Sequence, residues 1–118
     1  MKRKSFVFDS HSLSYLDSGT KHKKAVILTH ANGYASGCYS YILEELAKKF
    51  RVIGLDLSGH GGSEFSLRFE NWFYFRDEIL VLIERESLNG VIGIGHSLGG
   101  ASMLLSAYKE PSKFSKII

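Results

Sequence analysis

One cysteine, one proline and no long apolar run set the first limits on this chain. A single thiol, Cys38, cannot close an internal disulfide, and such low cysteine use fits a reducing compartment. The lone proline, Pro111, leaves no proline-rich linker, and no repeat or low-complexity segment is present. No stretch approaches the ~20 apolar residues that a membrane span requires. The opening Lys2-Arg3-Lys4 has no apolar run behind it, so it does not read as a secretory leader. The expected location is cytoplasmic, with no membrane partner. An excess of charge of one sign is also missing: 15 Lys and Arg face 12 Asp and Glu, a net charge of +3. Neither basic run, Lys2 to Lys4 or Lys21 to Lys24, is interleaved with aromatics. Both read as solvated, and no nucleic-acid partner is expected. No H-x-x-x-H and no Cys–His pair at ligand spacing occurs, so no metal site is expected.

The chain of 118 residues is 44% hydrophobic and 23% charged, which suits one modest globular domain. Ser5 to Asp9 reads as a first strand and Leu13 to Asp17 as its hairpin partner. After a polar loop, Lys24 to Thr29 is a third strand. Tyr39, Ile42, Leu43, Leu46, Ala47 and Phe50 recur at helical spacing. Arg51 to Leu55 is a fourth strand. Trp72, Phe75, Ile79, Leu82 and Ile83 mark a second helix. Gly90 to Ile94 is a fifth strand, and Leu98 to Lys109 a third helix that Pro111 stops. A hairpin followed by alternating helix and strand predicts an α/β fold. Its sheet is mostly parallel and covered by helices on both faces.

The most informative segment is Gly95-His96-Ser97-Leu98-Gly99, which sits between the fifth strand and the third helix. G-x-S-x-G in that context is a nucleophile elbow. The turn is tight enough that only glycine-sized residues fit at 95 and 99. The helix beginning at Leu98 points free N–H groups and a positive dipole end at the serine. The competing reading of the pentad alone is a glycine-rich strand-to-helix turn with an incidental serine. Two nucleotide-binding look-alikes fail. The run from Gly93 to Gly99 has Leu98 where the dinucleotide fingerprint needs glycine. The run from Gly54 to Gly59 is followed by His60 and not lysine. No cofactor is expected. Cys38 precedes a helix and not an elbow, so it is not a candidate nucleophile.

Two more segments occupy the ends of strands. His30-Ala31-Asn32-Gly33 follows the third strand. Asp56-Leu57-Ser58-Gly59-His60-Gly61-Gly62-Ser63 follows the fourth. With the elbow after the fifth, these three motifs in this order resemble the N-terminal half of the α/β-hydrolase family, from about Ser5 to Ile118. The resemblance implies that Ser97 is the nucleophile and that the N–H groups of Asn32 and Leu98 form the oxyanion hole. It implies that His30, Gly33, Asp56, Gly59, His60, Gly61, Gly95, His96 and Gly99 support the site. Ala31 departs from the family's usual glycine, a minor change beside the flexible Gly33. For each of the five histidines a structural reading outweighs that of general base. His30 braces its loop, His60 holds its turn, His96 is aimed away from the serine, and His11 and His22 lie in solvent.

In that family the chain order is Ser, then Asp or Glu, then His. After Ser97 this sequence has no histidine and no aspartate; Glu110 is the only acid, at the far end of the helix. Phe114 to Ile118 reads as the start of another strand, so the expected fold is truncated after the fifth strand and third helix. Residues 1–118 are thus expected to be one partial hydrolase domain. The sequence is compatible with a piece of a longer protein, a frameshifted product or a short natural protein. The implied function is serine hydrolysis of an ester, amide, lactone or thioester of a small molecule, incomplete in this chain. The alternative is an inactive fragment acting as a binding or self-associating module. Self-association or a complementing C-terminal half is the expected partnership.

Overall fold

The computed structural model describes all 118 residues, Met1–Ile118. Its strands are β1 (Lys2–Phe8), β2 (His11–Asp17), β3 (Ala25–Thr29), β4 (Arg51–Leu55), β5 (Val91–Gly95) and β6 (Phe114–Ile117). The helices are α1 (Ser40–Leu46), α2 (Phe73–Arg85) and α3 (Leu98–Lys109). The strand expected to start at Phe114 is formed, so the sheet has six strands and not five. Their spatial order is β1-β2-β4-β3-β5-β6. The β1–β2 and β2–β4 pairs are antiparallel; β3–β4, β3–β5 and β5–β6 are parallel.

The hairpin closes through Asp9 and Ser10, both at positive φ (50° and 69°), with Phe8 paired to His11. Two left-handed residues give the turn a twist that matches the flanking strands. Strands β3 and β4 are buried at all five positions, as central parallel strands should be. Alternate residues then face opposite sides. Ile27, Ile53 and Leu55 join Phe75, Ile79, Leu82, Ile83, Leu98 and Met103 in the larger core, beneath α2 and α3. Val26, Leu28 and Val52 face the other way and pack on Leu43 of α1. Helices therefore cover both faces. Each such buried side chain stabilises the fold by ~1.5–3 kcal/mol relative to exposure.

Three local expectations are corrected. Ile42 belongs to the helical apolar spacing, yet it is exposed: of short α1, Leu43 is fully buried and Leu46 packs beside it on the sheet, while Ile42 faces outward. Trp72 caps α2 without entering the core. The basic run at the start is not simply solvated. Arg3 pairs with the buried Asp56, and Lys4 with the buried Asp17 and the half-buried Glu86, so edge strand β1 is charged on its outside and tied to acids of the fold.

Candidate functional site

The parallel strands align their carboxyl ends: Thr29 pairs with both Leu55 and Gly95. That end of the sheet is where open α/β folds gather their ligand-binding loops. The loops after β3, β4 and β5 meet there.

Ser97 stands between β5 and α3 with φ 54° and ψ −113°. Positive φ on a residue with a β-carbon is a strained conformation. Its hydroxyl makes no cap hydrogen bond, and the residue is exposed. The flanking glycines are needed for space. A β-carbon on Gly95 would lie 2.5 Å from the backbone of Gly100. One on Gly99 would strike the Thr29 carbonyl and lie 2.7 Å from the His30 oxygen. The crowding at Gly99 comes from the end of β3, not from the elbow itself. Thr29 reinforces that contact, donating its hydroxyl to the Gly99 oxygen at 2.9 Å while its own carbonyl accepts from the His96 N–H at 3.1 Å. The elbow is thus fastened to the strand that launches the His30 loop.

His30 is fully buried and links two loops. Its Nδ1 bonds the Ala31 carbonyl oxygen at 2.8 Å, and its Nε2 accepts from the Leu57 N–H at 3.0 Å. Burial pushes its pKa down, against the bond to Ala31. A neutral ring protonated at Nδ1 satisfies both contacts and has no lone pair left for a base. Asn32 is exposed, and its N–H has no backbone acceptor. Leu98 is the first residue of α3, so its N–H has no helical partner four residues back. Gly33 turns the loop at φ 81°. Ala31 is accommodated: its methyl is buried, and its N–H donates to the Tyr39 hydroxyl at 3.1 Å.

Asp56 anchors the second loop from full burial. Burial alone would raise its pKa. The Ser36 hydroxyl at 2.6 Å, the Gly62 N–H at 2.9 Å, the Ser36 N–H at 2.8 Å and Arg3 at 3.0 Å together hold it below the usual range. Gly61 (φ 52°) must stay bare, because a β-carbon would strike this carboxylate. Gly59 (φ 76°) turns against Phe65. His60 bonds the Ser58 carbonyl oxygen through Nδ1 at 2.9 Å and Asn32 Oδ1 through Nε2 at 3.2 Å, joining the second loop to the first. His96 bonds the Tyr39 hydroxyl through Nδ1 at 2.8 Å, with Tyr34 edge-on to its ring.

Two features were missed in the sequence. Tyr39 bridges the first loop and the elbow through one hydroxyl. More unexpectedly, His11 is not in solvent: it is buried, with Nε2 2.9 Å from Ser58 Oγ and 3.6 Å from Glu78. Glu78 is fully buried and accepts from both the N–H and the hydroxyl of Ser58. Its desolvation pushes its pKa up, against those bonds and the nearby imidazole. The available signal was an acid at position 78, on the face of α2 that Phe75, Ile79 and Leu82 bury. His11 carried no local signal, because its partners lie far away in sequence.

A cleft of about 440 Å³ opens beside Asn32, His60 and Leu98. Its other walls include Phe65, Phe69, Trp72 and Phe75. No three metal-binding side chains converge anywhere, and no helix is long and apolar enough to cross a membrane.

The comparisons with known proteins agree with this geometry. A family model for the alpha/beta hydrolase fold matches residues 24–118. An uncharacterized hydrolase of Bacillus subtilis, YugF, is 26% identical over 96% of this chain and 42% of its own length. A Drosophila melanogaster protein named "Probable serine hydrolase" is 29% identical over 85% of this chain and 31% of its own. Among solved structures, E-2-(acetamidomethylene)succinate hydrolase superposes with a TM-score of 0.89 at 22% identity, over 98% of this chain and 42% of that one. The epoxide hydrolase CorEH superposes with a TM-score of 0.91 at 21% identity, over 98% and 40%. The chain thus spans less than half the length of these relatives. With that match across most of its residues, the chain belongs to the alpha/beta hydrolase fold family.

Proposed function

We propose that this chain is the N-terminal part of a serine hydrolase domain and carries its nucleophile and oxyanion hole. The observation that supports this most directly is Ser97 at φ 54° on a strand-to-helix turn, its hydroxyl free and exposed. In this reading a base takes the Ser97 hydroxyl proton as the oxygen attacks a carbonyl carbon, and the proton passes to the leaving group as its bond breaks in a second step. The N–H groups of Asn32 and Leu98 hold the negative oxygen of the tetrahedral intermediate. Such a donor contributes about 3 kcal/mol to the transition state. Water then attacks the acyl-serine, and acid product and free serine result. His30, His60 and Asp56 take no proton here; they fix the two loops against the elbow.

A base and its orienting acid are still required. Residues 98–118 contain no histidine or aspartate. We assign both roles to sequence outside this chain, either a continuation or a complementing C-terminal half. In the completed protein, Ser97→Ala should abolish ester hydrolysis and leave the melting temperature unchanged. Activity within a few-fold of the parent would overturn the nucleophile assignment. The 118-residue chain by itself should turn over activated esters poorly. Rapid stoichiometric labelling by a fluorophosphonate, blocked by Ser97→Ala, would show that one of its own histidines acts as base. The same lack of a base supports the second reading, a catalytically inactive module that binds or self-associates.

A further inference from the structure

We propose that the cleft beside the oxyanion donors selects an uncharged carbonyl substrate whose apolar chain or ring lies among Phe65, Phe69, Trp72 and Phe75. The proposal takes its direction from the serine-hydrolase reading, because the carbonyl must sit between Ser97, Asn32 and Leu98. Asn32 and Leu98 themselves line one part of the cleft, so a carbonyl held there has its substituent in the same cavity. The rings form a continuous wall: Phe65 and Phe69 have centroids 6.3 Å apart, Phe69 and Phe75 4.9 Å, and Phe75 and His60 6.5 Å. None of the lining residues is Asp, Glu, Lys or Arg. A carboxylate or ammonium placed among the rings would lose hydration and meet no Asp, Glu, Lys or Arg side chain. An apolar group would lose only unfavourable contact with water. The volume, about 440 Å³, is in the range of small-molecule sites. Phe65 and Trp72 stand largely uncovered at the rim, at 65% and 57% exposure, so the wall has apolar surface left to bury.

Trp72 is the only tryptophan, so its emission reports occupancy without any turnover. The probes are methyl ketones with methyl, butyl and hexyl chains, and the same chains ending in a carboxylate. The 118-residue chain should bind the neutral series with affinity rising about four-fold per methylene. The carboxylated chains should bind at least ten-fold more weakly. Amide signals of Asn32 and Leu98 should shift with the same dependence on ketone concentration. Phe65→Asp, at an exposed position, should weaken the hexyl ketone ten-fold or more, whereas Tyr41→Ser, at an exposed aromatic of α1 outside the cleft, should leave its binding unchanged. An affinity that does not depend on chain length, equal binding of the carboxylates, or occupancy without response at Asn32 and Leu98 would each overturn the proposal. Failure of the nucleophile reading would appear instead as hydrolysis that survives Ser97→Ala, with ketone binding intact.

Discussion

The backbone of Ser97 sits where a residue with a β-carbon is held at a cost on the order of 1–3 kcal/mol, and the surrounding residues oppose relaxation. The Thr29 hydroxyl holds the Gly99 carbonyl, and the Thr29 carbonyl holds the His96 N–H. A similar argument applies to Ser58, whose position depends on Glu78. Removing a partner from a buried donor leaves it unsatisfied, at about 1–3 kcal/mol. The folded Glu78 carboxyl holds its proton more tightly than the unfolded one, since burial raises its pKa. The folded state therefore binds more protons than the unfolded state above about pH 4.5, the ordinary value. The contribution of this group is complete at lower pH and is lost as pH rises. Urea unfolding of Glu78→Gln should show less loss of stability from pH 4.5 upward than the parent. Parallel pH profiles would mean that Glu78 titrates no differently folded than unfolded.

Strands and helices were legible to different depths, and the reasons are physical. β3, β4 and β5 are apolar on both faces, so short runs such as Ala25 to Thr29 announced themselves without neighbours. The start of α3 was fixed by Ser97 and Gly99, and its end by Pro111. The three loops were readable because the turns force glycine at 95, 99 and 61, wherever backbone or carboxylate comes close. Long-range polar pairing was not readable. His11 meets Ser58 and Glu78 only because β2 lies against β4, and Arg3 of β1 reaches Asp56 only across β2. At the other end of the sheet, Arg51 at the start of β4 donates to Asp17 at 2.7 Å and to Glu86 at 2.8 Å. Lys4 of β1 donates to the same two carboxylates, at 3.1 and 2.9 Å. This network joins β1, β2, β4 and the end of α2. Burial would raise the Asp17 pKa, but Arg51, the Gly19 N–H and Lys4 lower it to about 2. The unfolded carboxyl titrates near 3.8, so between these values the unfolded state holds the proton and the folded state does not. Stability from Asp17 is therefore complete above that window and is lost as pH falls through it, on the order of 2 kcal/mol. Asp17→Asn should lower the melting temperature at pH 7 and narrow the gap to the parent at pH 2. An equal gap at both pH values would exclude the ion pairs as its source.

The molecule as a whole protects one side of its sheet and leaves the other open. At the β1 edge, Lys2, Arg3 and Lys4 repel a further strand, a common safeguard. At the β6 edge the strand is four residues long and has no partner on its outer side. On α3, which packs against β6, Leu104 and Tyr108 share one face, four residues apart, and are 61% and 89% exposed. Ile118, just past the end of β6, is 65% exposed. A strand edge with unpaired N–H and C=O groups, next to uncovered apolar side chains, is a template for another chain. The relatives carry more than half of their length beyond the part matched here, which is material enough to cover such a surface. The 118-residue chain alone should therefore associate through β6 and α3, as a dimer sharing strands there or as soluble aggregate. Size-exclusion chromatography with light scattering at micromolar concentration should give a mass above that of the 13.2 kDa monomer. Tyr108→Lys with Leu104→Glu should shift the population towards monomer, because two charges on this face oppose its burial. Adding a complementing C-terminal half should do the same by occupying the edge. A cooperatively melting monomer with the parent sequence would mean that the six-stranded sheet closes without a partner and that the exposed face is tolerated as it stands.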